Sequence, residues 1–349
     1  MIEQSIPSPV LILAGGIALG AYQAGAVACL AQRGTHPVWL AGSSIGAVNA
    51  AVIAGSLPGD RVKHLEALWL HAQPPGPFAA GATMIPGPMR HAANWATAIG
   101  TRLMGAVGQF HPRVPNPFTR FRSFYDLEPL RQRLTTLIDF DRLNSGDPRL
   151  TVAATDLETG ELVLFDTGRG DRIGMDHLLA SCGYLPEFAP VELNGRFLGD
   201  GGLSANAPIE ALHCDPPKGP LTVFVLDLFP RDGKRPASFE EAVLRKNDLT
   251  FANQTWQRLE AYCRELKLKA ALAAAQPTGE PGGAQKIFYL SYRPDRSDAI
   301  SDKMYDYSAR TIDARWQAGA ADMDEALRVF GHADAHPLPF VVRRPGTAQ

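Results

Sequence analysis

For its length the chain has little charge and little cysteine. Of 349 residues, 20% are charged, the formal net charge is −2 and four are Cys. Cys29, Cys182, Cys214 and Cys263 lie far apart with no CxxC pair, which excludes a zinc module and a disulfide framework. The near-zero net charge excludes a global nucleic-acid-binding surface. A 45% hydrophobic content with so few charges excludes a disordered chain. No apolar run reaches the ~18 residues a membrane span needs, and Met1 to Pro9 has no basic leader. The expectation is a soluble, cytoplasmic protein. One absence is local: residues 67–125 contain no Asp or Glu but five Arg (Arg90, Arg102, Arg113, Arg120 and Arg122), leaving the rest of the chain at −7.

What is present is a strand–helix alternation. Val10 to Ala14 is a short apolar run stopped by Gly15-Gly16, read as a buried strand entering a glycine turn. Residues 18–33 repeat apolar side chains at helical spacing and stop at Gly34. Val38 to Ala41 gives a second strand and Ala47 to Ala54 a second, very apolar helix. This order predicts an α/β fold, a mostly parallel central sheet with helices on both faces. Further strands are expected at 150–155, 161–165, 196–198, 221–228 and 286–291, and long helices at 239–274 and 303–330. The segment 239–274 reads as a packing or dimer face, with nothing to set the oligomeric state. Residues 334–349 read as a surface tail.

Gly42-Ser43-Ser44-Ile45-Gly46 is GxSxG placed after a strand and before a helix. A nucleophile at such a turn stands proud of the sheet, and Gly42 and Gly46 leave room for the close approach. The helix N-terminus behind it favours developing negative charge. A helix-capping serine is the simpler alternative for Ser44. A serine nucleophile needs an oxyanion hole and a base. The first glycine turn offers backbone N–H groups at the same sheet edge. It is not a dinucleotide fingerprint, because neither Gly15 nor Gly16 has a glycine two residues on. For the base, only His332 and His336 fall late in the chain, in a proline-rich context. Asp200 closes a strand in Arg196-Phe-Leu-Gly-Asp200-Gly201-Gly202, where a plain Asp-Gly hairpin turn is the alternative. Asp156, Glu158 and Asp166 read as solvated acids, and no His, Cys or carboxylate cluster suggests a metal.

In this order the three motifs resemble the patatin-like phospholipase family of Ser–Asp acyl hydrolases. Ala21-Tyr22-Gln23-Ala24-Gly25, Ala180-Ser181 and Asn206-Ala207-Pro208 add to the likeness, which runs from about residue 10 to 230 and is nearest to a bacterial branch with a C-terminal extension. The resemblance implies a three-layer hydrolase domain over 8–330 with a core at 8–230 and an extension at 231–330. It implies Ser44 as nucleophile and Asp200 as its only partner, with no histidine and no cofactor. It also implies an oxyanion hole from the N–H groups of Gly15, Gly16 and Ile17, with Gly42, Gly46, Gly201, Gly202, Asn206 and Pro208 in support. The activity implied is lipase or phospholipase A hydrolysis of lipid carboxylic esters through an acyl-enzyme. Two positions depart from the family loop: Ile17 stands at its third glycine and Leu19 at its frequent basic residue.

The acid-free stretch gives a last expectation. Residues 73–122 read as a cap or lid inserted between the second and third strands, with Trp95, Ile99, Leu103 and Phe110 on one helical stripe. Arginine-only charge beside that stripe suits peripheral contact with an anionic membrane. The alternative is that the stripe packs inward and the arginines meet acids elsewhere. An α/β-hydrolase triad through His332 or His336, an esterase or polyester depolymerase of the same chemistry, and a weakly active or non-catalytic lipid-binding module with Ile17 in the oxyanion loop remain as other functions.

Overall fold

The computed structural model describes residues 6–70, 87–114, 123–275, 285–294, 300, 302–330 and 339–343. The chain opens with β1 (Pro9–Leu13), a 3-10 turn over Ile17–Gly20, α1 (Ala21–Gln32), β2 (Trp39–Ser43), α2 (Ile45–Ala54) and α3 (Arg61–Trp69). An excursion follows: α4 (Gly87–Met104), the antiparallel pair β3 (His111–Pro112) and β4 (Tyr125–Asp126), then α5 (Glu128–Leu137) and α6 (Phe140–Leu143). The chain then returns to the main sheet with β5 (Arg149–Asp156) and β6 (Leu162–Asp166), and passes through α7 (Met175–Ser181) to β7 (Val191–Leu193) and β8 (Arg196–Asp200). Last come β9 (Leu221–Asp227), α8 (Phe239–Ala275), β10 (Gln285–Ser291), α9 (Ala309–Val329) and β11 (Phe340–Val341).

Among the described residues nine strands form one sheet in the order β11-β10-β9-β1-β2-β5-β8-β7, with β6 also on β5. The run from β11 to β5 is parallel, and the pairings among β5, β6, β7 and β8 are antiparallel. The α/β expectation therefore holds, with the parallel sheet flanked by helices. Val10, Leu11, Ile12 and Leu13 are all fully buried, as a strand covered on both faces requires. Each such side chain stabilises the fold by roughly 1.5–3 kcal/mol. Helix α2 is buried along its whole length, which its small apolar composition permits.

Two sequence expectations are corrected. The surface tail at 334–349 contains β11, which pairs in parallel with β10, and Val342 beside it is buried. Its proline-rich surroundings concealed an edge strand, a position that tolerates nearby proline. Asp156 and Asp166 are buried, not solvated. Asp166 takes two bonds of 2.7 Å from the Arg149 guanidinium and one of 2.8 Å from Thr151, while Asp156 caps its own turn and meets Arg196 at 3.1 Å.

The register of β5 explains how two distant motifs meet. Ser43 at the end of β2 pairs with Ala153, and Asp200 at the end of β8 pairs with Ala154. β6 occupies the other edge of β5, pairing with Thr151 to Thr155. So β2 and β8 run toward each other along one edge of β5, and their C-terminal ends abut. A parallel strand and an antiparallel strand on the same edge are what bring Ser44 and Asp200 together.

Candidate active site

Ser44 has φ 55 and ψ −128, outside both the helical and strand regions. Such a conformation costs on the order of 1–3 kcal/mol and is kept only where the surroundings enforce it. Enforcement comes from three sides. The Ser44 N–H donates to the buried Ser181 Oγ at 2.9 Å. Its carbonyl accepts from Ala47 and Val48 at 2.9 and 3.2 Å. A Cβ on Gly46 would overlap the Leu13 carbonyl, so only glycine lets α2 start this close to β1. The hydroxyl makes no capping bond to α2, which removes the helix-cap alternative. It lies beside the Asp200 carboxylate instead, close enough to lower that group's pKa. Ser43 is fully buried and lines neither of the clefts described below.

Asp200 is fixed by its backbone and by its turn. Its N–H donates to the Gly183 carbonyl at 3.0 Å, and its carbonyl accepts from the Thr155 hydroxyl at 2.8 Å. Its carboxylate accepts the Gly202 N–H at 2.7 Å. The Asp-Gly turn is therefore real, and the same carboxylate also faces the Ser44 hydroxyl, which lowers its pKa. Burial is the dominant influence on Asp200 and raises its pKa from 3.8 to about 7, against the lowering effect of those two donors. A carboxylate poised there can exchange a proton with a hydroxyl at neutral pH.

The glycine loop is held by buried amides. Gln23 donates to the Ala14 and Leu226 carbonyls at 2.8 and 3.2 Å, and Asn49 donates to the Gly20 carbonyl and to Gln23 at 3.0 Å. Asn206 grips Gly15 from both sides, accepting its N–H at 3.0 Å and donating to its carbonyl at 3.3 Å. This corrects one expectation, because the Gly15 N–H is already spent and is not an oxyanion donor. Gly16 and Ile17 donate no backbone hydrogen bond among the described residues. Ile17 has φ 50, the left-handed region where glycine is preferred and a β-branched residue is strained. The departure from the family loop thus falls where a side chain is least welcome.

Two clefts meet at Ser44. One, of about 360 Å³ counting the open solvent at its mouth, is lined by Gly16, Ser44, Asp200, Asn206, Phe229 and Phe251 among others. The second, of about 320 Å³ on the same measure, is lined chiefly by Ile45, Phe110, Leu127, Leu130, Cys182 and Tyr307. Ile17, Ser44 and Phe188 belong to both, so the Ile17 and Phe188 side chains stand between them.

The inserted segment forms one wall of the second cleft through Gln109 and Phe110. Phe110, expected on an outer stripe, is 2% exposed and packs edge-on against Tyr125, Phe188, Tyr305 and Tyr307. The stripe breaks because α4 ends at Met104 and the chain turns at Gly105, which has φ 82. Trp95 and Leu103 do face outward, at 47% and 69% exposure, while Ile99 is half-buried. Polar Asn94, Thr97 and Thr101 of the same helix point inward. Two of the arginines meet acids: Arg102 with Asp302 at 2.7 Å and Arg113 with Asp126 at 2.9 Å. Arg120, Arg122 and the candidate bases His332 and His336 lie outside the described residues.

Among the described residues no group of His, Cys, Asp or Glu could hold a metal ion. None of their helices is long and apolar enough to cross a membrane. Sequence reasoning gave no individual role to Ser181, Gln109, Phe188 or Phe251. Ser181 alone carried a signal, as part of the Ala180-Ser181 motif.

No curated protein sequence matches the chain. Among solved structures, VipD from Legionella pneumophila aligns at 17% identity and a TM-score of 0.37, covering 88% of this chain and 67% of its own. The family model described as "Patatin-like phospholipase" matches residues 11–213, more than half of the sequence. These residues carry the glycine loop, the Ser44 turn, Asp200 and Asn206, and the chain belongs to the patatin-like phospholipase family.

Proposed function

We propose that the protein hydrolyses carboxylic esters of lipids through a Ser44–Asp200 dyad. Family membership implies lipid acyl hydrolase activity. The observation that carries the finer reading is a buried carboxylate, its pKa raised to about 7, that shares a cleft with the hydroxyl of a strained strand-to-helix serine. Asp200 accepts the Ser44 proton as Oγ attacks the ester carbonyl. The tetrahedral oxyanion is held by the Gly16 and Ile17 N–H groups, with the N-terminus of α2 behind it. Collapse passes the proton to the departing alcohol and leaves an acyl-enzyme. Water, deprotonated by Asp200, then releases the fatty acid.

The second cleft suits the acyl chain, being walled by Ile45, Phe110, Leu127 and Leu130. The first, which holds Asp200 and Asn206, suits the alcohol side. In this reading residues 8–330 act as one hydrolase domain and 73–122 as its cap. The outward Trp95 and Leu103 of the cap offer apolar contact to a lipid surface. Since Arg102 and Arg113 are already paired, the contact is chiefly apolar.

A panel of phospholipids, lysophospholipids, short nitrophenyl esters and polyester oligomers tests the reading on wild type, Ser44→Ala and Asp200→Asn. Release of fatty acid from lipid that is lost in both variants supports it. Turnover of polyester oligomers alone would favour the depolymerase reading. Turnover that survives Ser44→Ala would contradict the dyad, and lipid binding without any turnover would favour a non-catalytic module strained at Ile17.

A further inference from the structure

Arg315, on α9 in the C-terminal extension, is fully buried, and nothing in the hydrolytic scheme uses it. Its Nη1 donates to the Ala18 carbonyl at 3.0 Å and to the Asp306 carbonyl at 2.9 Å, and its Nη2 donates to the Lys303 carbonyl at 2.6 Å. Among the described residues no carboxylate lies within ion-pairing distance of it. The Asp306 carboxylate instead takes the Ser308 N–H and the Thr311 hydroxyl at 3.0 and 2.8 Å. The guanidinium supplies donors to three buried backbone carbonyls, and removing it takes that donor from each.

What it reaches is the oxyanion loop. The Ala18 carbonyl and the Leu19 N–H are the two ends of one peptide unit. That N–H donates to the Gly16 carbonyl at 3.0 Å. The Gly16 carbonyl and the Ile17 N–H are the two ends of the next peptide unit. A hydrogen-bonded chain of two peptides therefore runs from the guanidinium to the N–H that faces a developing oxyanion in the proposed mechanism. Hydrogen bonds in series polarise one another, by ~10–30% per bond, and most strongly in a dry interior. The same bond pins the 3-10 turn that keeps Ile17 at φ 50.

Helix α9 is a rigid mount for this contact. Cβ atoms on Gly25 of α1 and Gly319 of α9 would overlap the backbones of Trp316 and Tyr22, so the two helices meet backbone to backbone one residue from Arg315. The Tyr22 hydroxyl also donates to Asp322 at 2.7 Å.

We propose that Arg315 is a positioning residue that orients and polarises the Ile17 N–H through the Ala18 and Leu19 peptide. The inference rests on the Ser44 reading given above. Arg315→Met, which keeps the bulk and removes the charge, tests it, with Arg315→Lys as the milder variant. The readouts are the rate of fluorophosphonate labelling at Ser44, kcat and KM on a soluble ester, and the carbonyl stretch of a slowly hydrolysed acyl-enzyme. Losing an oxyanion donor outright costs about 10²–10³ in rate, so weakening one by ~10–30% predicts a fall of about two- to eightfold in kcat and labelling rate. KM stays within about twofold, and the acyl carbonyl stretch moves to higher frequency. Arg315→Lys, able to keep the Ala18 bond but not all three, falls between Met and wild type on every readout.

A purely structural role would lower the fraction of enzyme that labels while leaving rate per labelled site and carbonyl frequency at wild-type values; that outcome overturns the proposal. Should Arg315→Met fail to fold, Arg315→Gln, which removes the charge but keeps an amide donor in the same space, takes its place, and wild-type labelling rate and frequency there overturn the proposal equally. Failure of the wild type to label at Ser44 is a distinct result, which removes the nucleophile reading and this inference with it.

Discussion

Replacing Asp200 by Asn should destroy activity and make the protein more stable, with a pH dependence that identifies the cause. Asp200 is buried, and its pKa rises from 3.8 to about 7 because the folded interior disfavours the charged form. Folding therefore favours the protonated carboxyl. Its contribution is fully present below pH 3.8 and is lost as pH rises through about 7. The full interval corresponds to roughly 4 kcal/mol by pH 8. An asparagine at this position never ionises, and its side-chain oxygen can still accept the Gly202 N–H. The variant's advantage over wild type should thus be about 2.5 kcal/mol larger at pH 8 than at pH 5. Asp227, buried and raised to about 6, titrates in both proteins and cancels from the comparison. Urea unfolding of the two proteins at both pH values measures this difference. An advantage that does not change with pH, or an Asn variant less stable than wild type at pH 8, would refute the claim that Asp200 is a buried, destabilised carboxylate.

Three further outcomes are expected. The rate constant kcat/KM should rise about tenfold per pH unit below a midpoint near 7 and level off above it, because the ionised form of Asp200 is the base; the profile should be unchanged in the double variant His332→Gln, His336→Gln. Ile17→Gly should leave the melting temperature within a few degrees, since relief of left-handed strain (of order 1–3 kcal/mol) offsets a similar loss of apolar burial. The same variant joins the two clefts, so its activity should move toward bulkier acyl groups, and an unchanged acyl-chain profile would count against Ile17 as their divider. Trp95→Ser combined with Leu103→Ser should weaken pelleting with neutral vesicles severalfold, with little effect of salt on the wild type; binding that requires anionic lipid and disappears in salt would contradict an apolar docking face.

The parts of this site that were legible in the sequence are those set by local sterics. A GxSxG turn after an apolar strand declares itself because Gly46 has to meet the Leu13 carbonyl, a contact no other residue permits. The fully buried strands and α2 were equally plain, since an element covered all round must be apolar all round. Asp200 was legible only as a motif, because its partnership with Ser44 depends on β2 and β8 abutting along one edge of β5, a fact of register. The failures share that origin. The Gly15 N–H looks available until Asn206, far along the chain, takes it. Phe110 sits on a helical stripe on paper, but α4 ends six residues before it and the chain turns the ring inward. Arg315 reads as one charge on a long amphipathic helix, and only the approach of α9 to α1 brings it to Ala18.

The central claim, a serine nucleophile at residue 44 served by Asp200, is tested most directly by locating a covalent adduct. Incubating the intact protein with a fluorophosphonate and mapping the product by peptide mass spectrometry should give one label per chain, on the peptide containing Ser44. Labelling should be absent in Ser44→Ala and slowed by orders of magnitude in Asp200→Asn. A label on another serine, or an undiminished rate in Asp200→Asn, would contradict the account.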